Sequence, residues 1–584
     1  MKGVLDEMEL YGRYFRTYRK LFFFAVFFVF LETMVDLLQP TLMARIIDDG
    51  IRRGEVSRVL QLGGLMLGAT ALGAGFAALR NILASRVSQR FGQELREDLF
   101  RQTLYLGEGE ADALGSGSLV TRLTNDTAQC MQFANGMMRI FFKAPITALG
   151  SVILAFLLSP QLSLVLFLLL LVVGVLITLS MRLSYTRFAW VQKAMDQLNA
   201  KVQEYLLGIR LVKTYGRHET EREKFEGVNG ELEKRSMASQ RVIAWFSPLL
   251  TLTLSLGIAL VLYLGSYMFS RGEIEVGKIA AYISYMTQIL SSIIMITNIF
   301  NTFVRTKASS ARILEVLDSP GEAQTKGESL GQALKVLAFD EVSFAYPAGS
   351  GVPALKKVTF TLAAGETLAV IGSTGSGKST LSWLLLRFYE PSDGCITLNG
   401  QDIQTLDPGE IRQRIALAPQ KPQLFSGTVR ENIAWGRPDA PAKDEEWAAR
   451  TAMAEEFILK MPKGYDSPLR QGGVNLSGGQ KQRISIARAL AKRGEILILD
   501  DATSALDALT EAKVRSALRR IFPKPMTFLI TQRVSTAMGA DRILVLEEGS
   551  VAGWGTHGEL LKSCAIYREL YDSQIGLEEK SYGE

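Results

Sequence analysis

A chain of 584 residues exceeds what one hydrophobic core supports, so at least two domains are expected. Its three scattered cysteines (Cys130, Cys395, Cys564) and two histidines (His218, His557) exclude a disulfide framework and a His-rich metal centre, and fit a reducing cytosolic environment. The net charge of +6 reads as the positive-inside bias of a membrane protein, and no nucleic-acid partner is expected.

The chain opens with Tyr11, Tyr14, Phe15 and Tyr18 on one helical face, interspersed with Arg13, Arg16, Arg19 and Lys20. This reads as an interfacial elbow along the cytoplasmic surface, the alternative being an unstructured basic leader. Six apolar stretches follow, near 21–47, 56–79, 140–158, 162–181, 242–269 and 276–304. Each is long enough to cross about 30 Å of hydrocarbon, which takes roughly 20 helical residues. The first begins too deep and runs too long for a cleavable signal peptide. The connections 80–139 and 182–241 are long and rich in Arg and Lys, whereas 159–161 and 270–275 are short. Basic residues stay in the cytosol, so the long connections and both termini are expected inside, on a multi-pass protein of the plasma membrane. Their helical pattern extends the spans as rods, with polar breaks at 107–118 and 208–219 where each rod turns back to meet a soluble domain. His218 is expected on a solvated helix.

Within the first span Glu32 and Asp36 lie four residues apart, on one helix face. Carboxylates at that depth are costly. They either line a substrate cavity favouring cationic or amphipathic ligands, or pair with polar neighbours such as Lys143 in the third span. Pro40 and Pro145 are expected to kink their spans. Tyr282, Tyr285, Met286 and Met295 on the sixth span either form an adaptable apolar wall or face lipid.

Around 319–333 the composition turns to Pro, Gly and small polar residues, which marks a linker between a membrane domain (1–318) and a soluble α/β domain (334–584). There the apolar strand Leu368-Ala369-Val370-Ile371 runs into Gly372-Ser373-Thr374-Gly375-Ser376-Gly377-Lys378-Ser379-Thr380, a complete phosphate-binding loop in its required strand-to-helix context. The glycines let backbone N–H groups approach the phosphates of ATP, helped by a helix N-terminus. Lys378 reaches the β and γ phosphates, and Ser379 takes a Mg²⁺ position. Ile496-Leu497-Ile498-Leu499 ends in Asp500, a carboxylate at a strand tip suited to holding Mg²⁺.

The run Leu476-Ser477-Gly478-Gly479-Gln480 precedes a helical pattern, and with it the whole chain resembles an ABC exporter half-transporter. The resemblance implies a six-helix α transmembrane domain with long cytoplasmic helical extensions, followed by an α/β phosphate-loop ABC ATPase domain. It implies that Tyr346 stacks on adenine, and that Gln420, with Ser379 and Asp500, holds Mg²⁺ and links the γ-phosphate to the membrane domain. It also implies that two ATPase domains pack head to tail, so that Ser477, Gly478, Gly479 and Gln480 complete the ATP site of an opposite chain. Ser504-Ala505-Leu506-Asp507 resembles the loop through which the two domains communicate. Residues 117–119 with 122–126 resemble the first coupling region, and 310–313 the end of the sixth helix.

Three positions depart from that pattern. Asp501 stands where the family carries its catalytic Glu, Gln532 where it carries the switch His, and Gln471 where many homodimeric exporters carry an acidic residue. Asp is one methylene shorter, drawing the carboxylate back by roughly 1.5 Å. Such misplacement of a general base costs on the order of 100-fold. Gln532 donates a hydrogen bond but carries no imidazolium charge. The departures resemble the degenerate-site subunit of a heterodimeric multidrug-type exporter, with a homologous half-transporter as partner and a small amphipathic substrate. The alternative is a homodimeric slow ATPase, or an ATP-gated transporter of lipid or peptide.

Overall fold

The structure, a computed structural model, describes residues 2–575 except 320, 322–326, 348, 350 and 522. It divides into two compact units: Met1–Arg101 with Val120–Asp318, and Gln102–Leu119 with Ser319–Glu584.

The first unit is helical: α1 (Lys2–Arg45), α2 (Val56–Leu104, whose last residues pass into the second unit), α5 (Thr127–Gly136), α6 (Lys143–Leu158), α7 (Pro160–Thr214), α8 (His218–Ser270) and α9 (Val276–Leu317); α3 (Glu108–Leu114) and all but the last two residues of α4 (Ser116–Thr121) lie in the second unit. Among the described residues six helical segments are long and apolar enough to cross a membrane. At about 1.5 Å per residue, helices of this length outrun the hydrocarbon layer by tens of ångströms. Their outward faces carry Phe23, Phe27, Leu164, Leu168 and Leu171 exposed, the surface of a protein solvated by lipid. Sequence sets the helix starts: Ser159 caps α7 by accepting from the Leu162 N–H at 3.4 Å, and Pro160 occupies the first helical position. Where α1 gives way to a π-helical turn (Ile46–Ile51), Asp48 Oδ1 accepts from the Gly277 N–H at 2.7 Å and ties that turn to the first turn of α9. A Cβ at Gly277 would lie 2.2 Å from the Ala44 carbonyl oxygen, so this close approach requires glycine.

Several expectations are corrected here. The non-helical kink in α1 falls at Tyr18, not at Pro40, whereas in the third span the helix is interrupted just ahead of Pro145, by a π-helical turn (Met137–Phe141) before α6 begins at Lys143. On the N-terminal segment Tyr11 and Tyr14 turn inward: both are buried, Tyr11 stacked on Phe91 and Tyr14 meeting it edge to face, and Tyr14 donates to Asp98 at 2.8 Å. Tyr282, Tyr285 and Met286 are neither a cavity wall nor lipid-facing; they are fully buried in the helical core, Tyr285 donating to the Leu37 carbonyl at 2.8 Å, while Met295 is exposed. His218 is exposed at the start of α8, as expected.

Glu32 and Asp36 resolve into ion pairs. Lys143 Nζ lies 2.6 Å from Glu32 and 2.9 Å from Asp36, and Arg80 lies 2.7 Å from the second Glu32 oxygen. Two carboxylates matched by two cations tie α1, α2 and α6 together, the arrangement by which buried charge is tolerated. Further along the unit, Asp126 accepts from Ser309 at 2.8 Å and forms a bidentate pair with Arg312. Arg122 donates to the Arg312 carbonyl at 2.7 Å and pairs with Glu315 at 2.7 Å, fixing the 122–126 segment to the end of α9.

The second unit is α/β. An antiparallel sheet orders β2 (Leu355–Ala363), β1 (Val336–Phe344), β4 (Asp393–Leu398) and β5 (Gln401–Asp402). A six-stranded sheet runs β12-β11-β3-β10-β9-β6, from β3 (Thr367–Gly372), β6 (Ile415–Ala418), β9 (Ile496–Asp500), β10 (Met526–Ile530), β11 (Arg542–Glu547) and β12 (Ser550–Gly555). All of its pairings are parallel except β11 with β12. β9 and β10 are buried at every residue, which is why they read as unbroken apolar runs. A second, helical core packs α12 (Val429–Ala434) and α13 (Ala442–Thr451) on α15 (Gly478–Lys492), after α10 (Lys378–Leu385), α11 (Pro408–Arg414) and before α16 (Ala508–Leu518); α14 (Glu455–Leu459) and the two-residue pair β7 (Gly427–Thr428) and β8 (Pro468–Leu469) complete it. Part of the expected linker, 320 and 322–326, lies outside the described residues. Its later part is docked: the Glu328 N–H donates to the Thr405 carbonyl at 2.9 Å, and Leu330 is buried in the core.

Candidate functional site: a nucleotide cavity at the strand ends

Open parallel sheets place ligands beyond the carboxyl ends of their strands. Four strand ends converge here: β3 runs into the phosphate loop, β6 leads to Gln420, β9 delivers Asp500 and Asp501, and β10 delivers Thr531 and Gln532. Together with Tyr346, Thr374, Gly375, Gly377, Lys378, Ser379 and Thr380, the residues at these ends line one cavity of about 290 Å³.

The loop is shaped by its glycines. Gly377 has φ +94°, and a Cβ there would lie 2.5 Å from the Ala354 carbonyl oxygen; at Gly372 it would lie 2.2 Å from that of Leu546. Ser376, nearly fully buried, sits beneath the turn, and Gly372 and Ser373 turn their carbonyls toward Lys378. Lys378 Nζ donates to those two carbonyls at 3.0 and 2.6 Å. Burial holds the Lys378 ammonium below its ordinary pKa, against the pull of Asp501 and Asp500. A buried ammonium with two backbone acceptors and, among the described residues, no ion pair at salt-bridge distance is suited to an anionic ligand.

Ser379 Oγ donates to Asp500 Oδ1 at 3.0 Å, and Gln420 Nε2 donates to Asp501 Oδ2 at 3.4 Å. Burial raises both carboxyls above the usual range; Asp501 adds to the rise at Asp500, while Ser379 and Lys378 oppose it. Ser379, Gln420 and Asp500 all line the cavity and carry hard oxygen donors, the chemistry that suits Mg²⁺. Asp501 adopts φ +47°, a left-handed conformation that Asp tolerates better than most residues, and its N–H donates to the Ile530 carbonyl at 2.9 Å. Gln532 is exposed at the cavity rim, its carbonyl accepting from Gln574 at 2.9 Å, while Arg533 pairs with Glu511 at 2.5 Å.

On the aromatic side Tyr346 bonds Thr380 through its hydroxyl at 2.9 Å and meets Tyr389 and Trp383 edge to face, with centroids 5.4 and 6.0 Å away. Sequence reading singled out neither of those two neighbours. Nothing in their spacing marks them; they meet Tyr346 through the fold.

Ser477, Gly478, Gly479 and Gln480 are not among the cavity's lining residues. They open α15, where Ser477 accepts from the Gln480 N–H at 3.3 Å and the Gln480 side chain accepts from the Ser477 N–H at 2.9 Å. Gln482, one turn on, bonds Ser504 at 3.0 Å and the Ala505 N–H at 2.8 Å, so the signature and the Ser504–Asp507 loop form one face.

Comparison with known proteins agrees with this architecture. Residues 22–293 match the family described as ABC transporter transmembrane region, and residues 355–504 that described as ABC transporter. The chain is 39% identical to the uncharacterized ABC transporter ATP-binding protein YfiB of Bacillus subtilis (strain 168), over 95% of this chain and 96% of that one. It is 32% identical to the ATP-dependent lipid A-core flippase of Salmonella paratyphi A (strain ATCC 9150 / SARB42), over 93% and 92% of the two chains. A solved structure of a bacterial Atm1-family ABC exporter with ATP bound superposes with a TM-score of 0.79 at 26% identity, covering 95% of this chain and 98% of that one. The protein belongs to the ABC transporters: it is an exporter half-transporter in which a helical membrane domain is followed by an ATP-hydrolysing ABC domain.

Proposed function

We propose that this chain is one half of a heterodimeric exporter in the plasma membrane, with its ATPase domain and both termini in the cytosol. Its own phosphate loop holds ATP with Mg²⁺ and turns it over slowly, while its signature completes a competent site on the partner's phosphate loop. The observation carrying this reading is a cavity equipped for binding, with Lys378, Ser379, Gln420 and Asp500 assembled, whose two departures fall on the residues of chemistry alone. Asp501 and Gln532 occupy the catalytic positions without a Glu carboxylate or an imidazole. Ser379, Gln420 and Asp500 would hold Mg²⁺, which would supply charge neutralisation at the phosphates.

Within the site Lys378 sets phosphate position, Tyr346 offers an aromatic face to the base, and Gln420 spans from the phosphate side toward Asp501. The exposed first turn of α15 presents Ser477 and backbone N–H groups to a second chain, as head-to-tail packing requires. The substrate is an amphipathic, drug-like molecule; likeness to a lipid A-core flippase supports a lipidic amphiphile as the second reading.

Restoring the two absent side chains tests the attenuation. Asp501→Glu with Gln532→His is expected to raise phosphate release by the chain, purified alone, about 10- to 100-fold. An unchanged rate would show that these positions do not limit turnover.

A further inference from the structure

Gln532 reaches the cavity from a segment with little structure of its own. After β10 the backbone passes through Thr531, Gln532 and Arg533 into α17 (Val534–Ala537), a single helical turn, too short to be stable by itself. Neighbouring elements hold it. The Thr531 N–H donates to the Val370 carbonyl at 3.1 Å, Arg515 donates to the Ser535 carbonyl, and Glu511 accepts from Arg533 and Thr536. None of these bonds falls on Gln532. Its backbone is met from further along the chain, where α18 (His557–Ser563) is followed by α19 (Ala565–Gln574). Gln574 Nε2 donates to the Gln532 carbonyl at 2.9 Å, and Gln574 Oε1 accepts from the Val534 N–H at 2.8 Å. One amide thus grips the backbone on both sides of Arg533. A Gln side chain carries a donor and an acceptor side by side, and the two backbone partners fix which way it faces.

The helix that carries this amide is itself firmly seated. Tyr567, Leu570, Tyr571 and Gln574 recur at helical spacing and share one face of α19. Tyr567 is fully buried, and Leu570 and Tyr571 pack on the core that holds Val534 and Ala537 of α17 with Ala369 and Ile371 of β3. His557 Nδ1 lies 2.9 Å from the Tyr567 hydroxyl, tying α19 to the start of α18. Where this stripe reaches α17, its next position carries an amide. An apolar residue there would extend the stripe but leave the Gln532 carbonyl and the Val534 N–H without these partners.

We propose that Gln574 is a positioning residue for nucleotide retention. Through the backbone of Gln532 it sets where the Gln532 side chain stands at the cavity, so the end of α19 governs how long ATP stays on this chain's phosphate loop. The proposal rests on the reading of that loop as one that holds ATP, with Gln532 donating to a phosphate oxygen.

Label retention tests the link in the assembled transporter in lipid nanodiscs, loaded with radiolabelled ATP and Mg²⁺ and chased with unlabelled ATP. In the parent, the ATP on this chain's loop should leave as a slow phase. Gln532→Ala should shorten the half-time of that phase about tenfold, the size of one hydrogen bond to a charged group. Gln574→Ala should shorten it about fivefold to tenfold, and adding it to Gln532→Ala should change nothing further. Gln574→Glu keeps the acceptor for the Val534 N–H but not the donor for the Gln532 carbonyl, and should fall between the parent and Gln574→Ala. Ser573→Ala removes a bond within α19, to the Leu570 carbonyl, and should behave as the parent. Equal shortening by Ser573→Ala, or full additivity of Gln574→Ala with Gln532→Ala, would overturn the link in favour of a general loosening of α19. Retention unchanged in Gln574→Ala but shortened in Gln532→Ala would overturn the link alone. Retention unchanged in Gln532→Ala, or no slow phase in the parent, would overturn the reading of the loop and the link with it.

Discussion

Ser477→Ala is expected to cut the ATPase activity of the assembled exporter about 100-fold or more, whereas Asp501→Asn changes it by less than about threefold. The contrast follows from where the two side chains sit. Ser477 caps α15 through a reciprocal pair with Gln480, on an exposed turn outside this chain's own cavity. Its loss removes a cap worth about 1 kcal/mol and, in the proposed heterodimer, a hydroxyl directed at the partner's nucleotide. Asp501, on the proposed reading a short-armed substitute for a general base, is raised in pKa by burial and engaged by Gln420. Amidation therefore takes away a group that contributes little. Steady-state phosphate release from reconstituted transporter carrying each variant measures both; equal damage from the two would contradict the asymmetric assignment.

Gly377→Ala should sharply weaken nucleotide binding at this chain's loop. The residue has φ +94°, and its added Cβ would lie 2.5 Å from the Ala354 carbonyl oxygen and 2.7 Å from Leu355 Cδ2. The left-handed backbone costs an alanine about 1–2 kcal/mol. Relieving the overlap adds about 1–3 kcal/mol, or moves the turn that carries Lys378, Ser379 and Thr380. ATP affinity should fall by about 30-fold to more than 1,000-fold. Gly375 provides the internal control: its φ is +83°, but nothing lies within 4 Å of a Cβ, so strain acts there without collision. Gly375→Ala should weaken binding only about tenfold in the same equilibrium titration with a fluorescent ATP analogue.

Linear spacing carried the parts of this protein whose chemistry is local. A phosphate loop is a continuous run, a buried parallel strand is a continuous apolar run, and a span is about 20 apolar residues, so each could be read directly. What the spacing did not carry is pairing between elements. Glu32 and Asp36 left two readings open because Lys143 and Arg80 come from α6 and α2, and only packing sets which cations arrive. Tyr11 and Tyr14 have the periodicity of an interfacial helix, and the same periodicity serves a buried one. Pro40 drew attention as a kink, yet the break falls at Tyr18, where the buried Tyr14 ring sits one turn away. The Asp112–Tyr389 contact joins positions 277 residues apart, neither belonging to a recognisable motif. At the site itself, the legible residues were those with a single chemical task. Trp383 and Tyr389, which meet Tyr346 only through ring contacts, left no such mark.

Division of labour between two unlike ATP sites is tested most directly by this polypeptide on its own. Reconstituted in lipid without any companion subunit and supplied with MgATP, it should retain nucleotide yet release phosphate about 100-fold more slowly than the two-subunit transporter. Sustained release at the rate of the complete transporter would contradict that division and make this chain a self-sufficient homodimer.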